Sequence, residues 1–348
     1  MPINIPSKIY ATEGIELNIY FENITEDWTR YDWDITCTKG EQWSRGYKIT
    51  PVAGDAGTYV LTITATDING YSSSKSVSLV ITAASSGSGV SKSVIVLGDS
   101  TTNNGVVITK LNENFTNDVM SILTLGTRGS SLNNHEGRSG WTLNSYFTTE
   151  YVDYTDGRGH VENPFYNPNS NTFDANYYFT HSGIAKPDWF FINMGINDVF
   201  GYYSDEAVYA QITTCINYIE LIITSIKNAS ADTKIGVCLT IPPNHSQDAF
   251  GKAYGNTQTR NRYKRNNTLW VNKLIEVFDD RESEKIYLIP IHTNLDTVYN
   301  MGMETLPVNA RNTVITYQSP IANGGVHPVE SGYWQIADVY TAFLKAQV

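Results

Sequence analysis

Short, continuous apolar runs that end in glycine constrain the fold of this chain more than any other feature. Val94-Ile95-Val96-Leu97 ends at Gly98, and the run from Trp189 to Met194 ends at Gly195. Two further apolar runs span 235–239 and 286–289. Strands that are apolar on both faces are typical of a parallel sheet with helices covering each side.

Helical periodicity fills the intervals between these runs. From Val208 to Ile226 apolar residues recur at 3.6-residue spacing, and Ser204 is placed to cap that helix. Similar spacing predicts helices around 263–277 and 333–344. Alternating strands and helices indicate a doubly wound α/β fold, in which functional residues lie just beyond the carboxyl ends of the strands.

The first 83 residues have a different pattern. Residues 59–65 alternate apolar and polar, Asn69-Gly70 predicts a hairpin turn, and 76–81 resume the extended pattern. This is typical of a small all-β sandwich and resembles the immunoglobulin-like modules. The small, polar tract at 84–92 predicts a linker, which leaves 93–348 as the second domain.

Composition narrows the function classes. The chain has 348 residues, of which 41% are hydrophobic, enough for two folded cores, and only 17% are charged. Its formal net charge of −11 argues against a nucleic-acid partner. No apolar run reaches the roughly 18 residues of a membrane span. The N-terminus lacks the basic-then-apolar pattern of a secretion signal. We nevertheless expect an extracellular or virion-associated protein.

The three cysteines, Cys37, Cys215 and Cys238, form no CxxC pair. Free thiols that act as small hydrophobic residues are the better interpretation than a disulfide framework or a zinc site. Residues 145–187 are rich in Tyr, Asn and Phe. This insertion is either a substrate-binding loop or lid, or a surface excursion that packs its own aromatic residues.

Four short motifs stand where the predicted fold places chemistry. They are Gly98-Asp99-Ser100 after the first buried strand, Gly140 within EGRSGWT, Gly195-Ile196-Asn197-Asp198 after the second buried strand, and His327-Pro328 before the last helix. Each has a plain structural alternative when taken alone. The serine and the histidine could be helix caps, the glycine a turn, and the asparagine a bridge between loops.

Together these residues suit acyl transfer. A serine hydroxyl needs a base to become a nucleophile, and His327 is the best of the six histidines because it can reach across the strand ends. The developing oxyanion needs preorganised N–H donors. The candidates are the backbone N–H groups of Ser100 and Gly140 and the side-chain amide of Asn197.

The order GDS, GxSGWT, GxND and HP resembles the SGNH/GDSL hydrolase superfamily over residues 93–348. The resemblance implies a flavodoxin-like three-layer α/β/α fold and ester hydrolysis without a metal or other cofactor. It implies Ser100 as nucleophile, His327 as general base, and Gly140 and Asn197 as oxyanion donors beside the Ser100 amide.

One position departs from the family pattern. The family usually has an aspartate three residues before this histidine, where this chain has Gly324. A backbone carbonyl near Asn323 could orient the imidazole and leave a Ser-His dyad. Alternatively, Glu330 could turn back, or an acid from a distant loop such as Asp248 or Asp296 could substitute.

Three other residues flank these motifs. Asp99 and Asp198 are expected to bond loop backbone and to take no part in proton transfer. Trp141 either forms a wall of the substrate pocket or packs under its own loop.

The sequence therefore predicts a serine ester hydrolase, most simply an O-acetyl esterase of acylated carbohydrate. One alternative is a carbohydrate-binding or adhesion protein of a virion or cell surface with a weak or inactive hydrolase domain. Another is a lipase or thioesterase of the same superfamily. Because imidazole titrates near pH ~6.5, a histidine base predicts a rate that rises with pH through that region.

Overall fold

A computed structural model describes residues 3–154, 159–322 and 324–348. Its N-terminal part is strand-rich. The strands are β1 (Lys8–Thr12), β2 (Leu17–Tyr20), β3 (Tyr31–Thr36), β4 (Glu41–Trp43), β5 (Gly46–Ile49), β6 (Gly57–Asp67) and β7 (Ser72–Thr82). One sheet has the order β1-β7-β6-β3 and the other β2-β5-β4. They enclose a hydrophobic core of their own; the immunoglobulin-like topology stays a prediction.

The predicted hairpin joins β6 to β7 in antiparallel register. Gly70 has φ +82°, a conformation that glycine adopts without steric cost. Leu61 and Ile63 are fully buried. The opposite face of the hairpin carries three pairs of hydroxyl groups whose oxygens are 2.8 Å apart, namely Thr62–Ser76, Thr64–Ser74 and Thr66–Ser72. The two-residue alternation therefore separates a core face from a polar face.

From residue 91 strands alternate with helices, as the sequence predicts. The strands are β8 (Ser91–Gly98), β9 (Ser121–Leu125), β10 (Glu136–Gly137), β11 (Tyr151–Tyr154), β12 (Gly159–Glu162), β13 (Tyr166–Asn167), β14 (Thr172–Phe173), β15 (Trp189–Asn193), β16 (Lys234–Cys238), β17 (Ile286–Ile289), β18 (Met303–Asn309) and β19 (Asn312–Pro320). The helices are α1 (Ser100–Asn103), α2 (Val106–Thr116), α3 (Ser145–Thr148), α4 (Ala175–Ser182), α5 (Ile196–Phe200), α6 (Asp205–Ala229), α7 (Gln247–Tyr254), α8 (Arg260–Phe278) and α9 (Glu330–Lys345).

The central sheet is parallel, with β8, β15, β16 and β17 side by side. The other edge of β8 pairs with β9 along its first half and with β10 at its end. Counting β8 as the first strand, the order is 2-1-3-4-5, the flavodoxin-like arrangement. Its topological switch point lies between β8 and β15, the two strands followed by the GDS and GxND motifs.

Alternate residues of β15 show how the two faces are covered. Trp189 and Phe191 contact Phe343 of α9, and Phe191 also stacks on Tyr340 at 5.2 Å. Phe190 points the other way and meets Phe165 of the insertion edge-on. Successive side chains of a strand point to opposite faces, so the sheet is the middle of three layers.

The insertion packs its own aromatic residues. Phe165 stacks on Tyr178 with ring centroids 4.1 Å apart and on Phe173 at 4.8 Å. Together with Phe190 they form one apolar cluster. The described part of 145–187 therefore has a packed interior, and its role as a substrate-binding loop stays a prediction.

The sequence did not predict the hairpin of β18 and β19. The Lys252 ammonium of α7 binds the base of this hairpin, because it donates to the Glu304 carboxylate at 2.7 Å and to the Ser319 hydroxyl at 2.9 Å. The three cysteines are free thiols, as predicted, with Cys37 half-buried and the other two buried. No helix within the described ranges is long and apolar enough to cross a bilayer.

The strand-rich region is joined to the α/β region by buried polar contacts. The Asn23 amide donates to the carbonyls of His292 and Leu295, both at 2.8 Å, in the loop after β17. Arg45 pairs with Glu22 at 2.7 Å and with Asp296 of the same loop at 2.9 Å. The domain limits at 83 and 93 stay a prediction, and the two regions share an extensive interface.

Candidate active site

Ser100 lies at a tight strand-to-helix turn. It is the first residue of α1, directly after β8, and Asp99 caps the helix by accepting the Thr101 N–H at 2.9 Å. A Cβ at Gly98 would stand 2.1 Å from the Thr102 hydroxyl oxygen, so only glycine fits there. The turn leaves the Ser100 side chain half-buried at the carboxyl edge of the sheet.

His327 reaches Ser100 from the other end of the chain. The Ser100 Oγ and the His327 Nε2 are 2.8 Å apart, although 227 residues separate them. His327 is half-buried in the loop that leads into α9. At this distance the imidazole can take the hydroxyl proton directly.

Gly140 and Asn197 belong to neighbouring strand ends. Gly98 of β8 is in register with Gly137 of β10 on one side and with Asn193 of β15 on the other. Gly140 is exposed, has φ +76°, and has open space around the place of a Cβ. The Asn197 amide nitrogen donates to the Trp141 carbonyl at 2.9 Å, which uses one of its two N–H groups.

Trp141 is buried under this loop, with 3% of its surface exposed. Its ring meets Tyr146 edge-on at 5.0 Å and lies 5.3 Å from the Arg138 guanidinium. Trp141 therefore packs under its own loop, and its interpretation as a pocket wall is wrong, because Tyr146 and Arg138 cover the side chain. Its contribution is to support the backbone that carries Gly140.

A buried ion pair lies beneath the same loop. The Arg138 guanidinium and the Glu136 carboxylate are 2.9 Å apart and almost fully excluded from solvent. The Tyr178 hydroxyl donates to the same carboxylate at 2.8 Å, and the backbone N–H of Arg138 donates to the Gly98 carbonyl at 2.9 Å. The sequence analysis missed these residues, because nothing in the polar stretch around them marks them as buried.

Asp99 and Asp198 bond loop backbone, as predicted. The Asp198 carboxylate accepts hydrogen bonds from the Leu143 N–H at 2.9 Å and from the Cys215 thiol at 3.5 Å. Burial raises the pKa of Asp198 to about 7 and that of Asp99 to about 6. The Asp198 carboxylate thus ties the GxND turn to the segment after Gly140.

The proposed replacements for the missing acid lie in different places. Glu330 is exposed in the first turn of α9, and Asp248 is exposed in the first turn of α7. Asp296 is held by Arg45 and by the backbone N–H groups of Val298 and Tyr299 at 2.9 and 3.1 Å. Asp296 therefore serves the interface between the two regions. Asn323 lies outside the described residues.

Gly324 itself has no room for an acid. It is buried, and a Cβ there would stand 2.7 Å from the Met301 carbonyl oxygen and 3.1 Å from that of Ile321. Both obstacles are backbone atoms, which cannot rotate away. An aspartate at position 324 would therefore require the surrounding backbone to move.

Asn244 is a further residue that the sequence analysis missed. It follows β16, is fully buried, and its amide donates to the Gly324 carbonyl at 3.0 Å. Its backbone N–H donates to the Gly325 carbonyl at 2.9 Å. These two bonds hold the segment that precedes His327. A polar residue just beyond a third buried strand was the available signal.

Comparisons with known proteins agree with this architecture. Residues 94–339 match the family model described as GDSL-like lipase/acylhydrolase. The chain belongs to this family. Membership makes this acylhydrolase an ester hydrolase in general terms, and the matched segment contains all four motifs.

The solved structures that match this chain share little sequence identity with it. A mutant acetyl esterase, solved with acetate ion, is 16% identical with a TM-score of 0.39, over 73% of this chain and 96% of that one. A possible lipase from Chitinophaga pinensis is also 16% identical with a TM-score of 0.40, over 73% and 97%. Among curated protein sequences, none matches this chain closely enough to serve as a relative.

Proposed function

We propose that this protein hydrolyses acyl esters of carbohydrates, most simply O-acetyl groups, with Ser100 as nucleophile and His327 as general base. The supporting observation is the 2.8 Å contact between the Ser100 Oγ and the His327 Nε2 beside the GxND turn. The Tyr- and Asn-rich insertion favours a hydroxyl-rich substrate over a lipid.

In the first half-reaction His327 takes the Ser100 proton while the Ser100 oxygen bonds to the acyl carbon. The oxyanion accepts hydrogen bonds from the N–H groups of Ser100 and Gly140 and from the Asn197 amide. As the carbon–oxygen bond to the sugar breaks, the imidazolium gives its proton to the leaving hydroxyl. The acyl group is then held on Ser100.

In the second half-reaction His327 takes a proton from water, and the hydroxide oxygen bonds to the acyl carbon. The bond to Ser100 breaks, the serine regains its proton, and the carboxylic acid leaves. No acid at position 324 takes part, so the proposal is a Ser-His pair. Orientation of the imidazole by a backbone carbonyl near Asn323 stays a prediction.

Ser100→Ala tests the nucleophile. We expect kcat on p-nitrophenyl acetate to fall at least about 10³-fold, because acyl transfer loses its covalent step. Labelling by a fluorophosphonate probe should vanish as well. Ser283→Ala, at an exposed serine shortly before β17, is the control and should keep both. Full activity in the Ser100 variant refutes the assignment.

Asn197→Ala tests the oxyanion donors. We expect kcat to fall about 10²- to 10³-fold with little change in KM, because the bond strengthens only as negative charge develops. Acyl-chain preference tests the substrate class. Turnover should be fastest for acetyl esters and fall with chain length, and a maximum at long acyl chains would instead make the protein a lipase.

A further inference from the structure

A cavity of about 610 Å³ lies within the insertion, and none of the four proposed catalytic residues lines it. Its volume is in the range of about 300–1,000 Å³ that small-molecule sites occupy. The lining side chains used below are Glu150, Tyr151, Glu162, Tyr166, Tyr177 and His181.

The walls of this cavity are anchored by buried bonds. Asn163 is 4% exposed, and its amide donates to the carbonyls of Tyr146 at 3.0 Å and Thr149 at 2.8 Å. Its backbone N–H donates to the Glu150 carbonyl at 2.8 Å. On the other wall, Asp174 caps α4 by accepting the Tyr177 N–H at 3.0 Å. The cavity is therefore formed before any ligand arrives.

The α4 wall carries an aromatic platform, which consists of two rings stacked face to face on each other. The Tyr177 and His181 rings stack with centroids 3.8 Å apart and planes 25° from parallel. The His181 Nδ1 lies 3.1 Å from the Tyr177 carbonyl, and this contact fixes the ring orientation. Tyr151 and Tyr166 add two more phenol rings to the lining.

The polar groups of the lining select against anions. Glu150 and Glu162 bring carboxylates, and no lysine or arginine stands among the described lining residues. The net charge of the chain, −11, acts in the same direction. Stacked rings with carboxylate acceptors suit a ligand that has apolar faces and hydroxyl donors at its edge.

We propose that this cavity binds a neutral saccharide ring, as a subsite separate from the ester-cleaving centre. Sugar rings present C–H groups on their faces and hydroxyls around their edge, which matches the platform and the carboxylates. The inference rests on the proposed function in taking the substrate to be a carbohydrate.

One buried side chain connects this subsite to the candidate active site. The Arg138 Nε donates to the Glu162 carbonyl at 2.8 Å, and Arg138 stands two residues before Gly140. The cavity therefore adjoins the loop that carries a proposed oxyanion donor.

The experiment uses the full chain with Ser100→Ala, so that binding is measured without turnover. The labelled protein is applied to a broad glycan array, and the best neutral glycan is titrated by calorimetry. In the same background Tyr177→Ala should weaken binding at least about tenfold, because the platform is lost. Tyr209→Ala, an exposed tyrosine on α6, is the matched control and should bind like its parent.

Retention of a neutral glycan that Tyr177→Ala weakens and Tyr209→Ala leaves unchanged supports the inference. If Tyr177→Ala lowers Tm markedly, Glu150→Gln at the exposed carboxylate decides, with weaker binding expected. The inference is overturned when no glycan is retained, when Tyr177→Ala binds equally well, or when tetramethylammonium alone binds through cation–π contact. Wild-type turnover of p-nitrophenyl acetate separately tests the proposed function.

Discussion

Gly324 determines whether an acid can stand three residues before His327 in the candidate catalytic group. We expect Gly324→Asp to lower activity and to destabilise the fold by about 1–3 kcal/mol, because its Cβ would overlap the Met301 carbonyl 2.7 Å away. The measurements are kcat on p-nitrophenyl acetate and Tm by calorimetry. Gly324→Ala adds the same Cβ without charge, and it should lose a similar part of the stability. Higher activity in Gly324→Asp than in the wild type would contradict this account.

Asp198 makes the stability of the protein depend on pH. Its folded pKa of about 7 stands above its ordinary value of 3.8, because burial penalises the charged form. A raised acid stabilises the fold fully below about pH 4, and this contribution is lost as pH rises through about 7. Stability should therefore decrease over that window.

Asp198→Asn keeps an acceptor for the Leu143 N–H and removes the charge. We expect its stability relative to the wild type to increase between pH 5 and pH 8 by about 3 kcal/mol at most, at 1.36 kcal/mol per pH unit over the two units up to the folded pKa of about 7. Denaturant unfolding at several pH values measures it. The exposed Asp248→Asn is the control and should follow the wild type. Parallel pH curves for Asp198→Asn and wild type would refute the buried-charge explanation.

Among the elements, the sequence predicted those whose pattern reflects local burial. The Ser204 side chain caps α6 by accepting the Ala207 N–H, and the buried strands β8 and β15 follow their continuous apolar runs. The β18–β19 hairpin exposes most of its residues, so it has no buried apolar run to reveal it. The order of motifs likewise predicted that Ser100 and His327 would meet, as they do at 2.8 Å.

The parts of the site that escaped prediction depend on contacts between distant segments. The obstruction at Gly324 comes from Met301 and Ile321, and the support for the same segment comes from Asn244. Trp141 is covered by Tyr146 and Arg138, and its carbonyl accepts the Asn197 amide from a different strand end. Local periodicity predicts an element, but the surroundings of a loop are set only when all its neighbours fold.

The loop after β16 acts on the site through Asn244. We expect Asn244→Ala to lower kcat about tenfold with a small change in KM, because the Gly324 carbonyl loses its donor and the segment before His327 loosens. Asn244→Asp keeps the size but replaces the donating amide, so it should resemble the alanine variant. Steady-state kinetics on p-nitrophenyl acetate measure both. A change confined to KM would assign Asn244 to substrate binding instead.

At the scale of the whole molecule, the strand-rich region supports the loop after β17. Asn23 and Arg45 bond this loop, and the Asp296 N–H donates to the Gln335 side chain of α9 at 2.8 Å. α9 begins three residues after His327. The N-terminal region therefore contacts the element that follows the proposed base, and we expect both regions to unfold in one transition.

Arg45 is the centre of this interface. Burial alone would raise the pKa of Asp296, but the Arg45 hydrogen bonds and charge and two backbone N–H groups bring it below its ordinary value. We expect Arg45→Ala to destabilise the protein by about 3 kcal/mol, because Glu22 and Asp296 stay buried without their cation. Calorimetry should then resolve two transitions instead of one.

Lys39→Ala is the control that distinguishes the effect of breaking the interface ion pairs from the effect of breaking any ion pair. Lys39 pairs with Asp55 at 2.5 Å inside the strand-rich region, where water reaches both side chains. Its removal should lower Tm far less than Arg45→Ala does and leave one transition, because solvent screens the pair. If the wild type already unfolds in two well-separated steps, the regions are energetically independent. The contact from Arg45 to Asp296 then carries no coupling, and α9 must be positioned by its contacts within the α/β region, with α2 foremost among them.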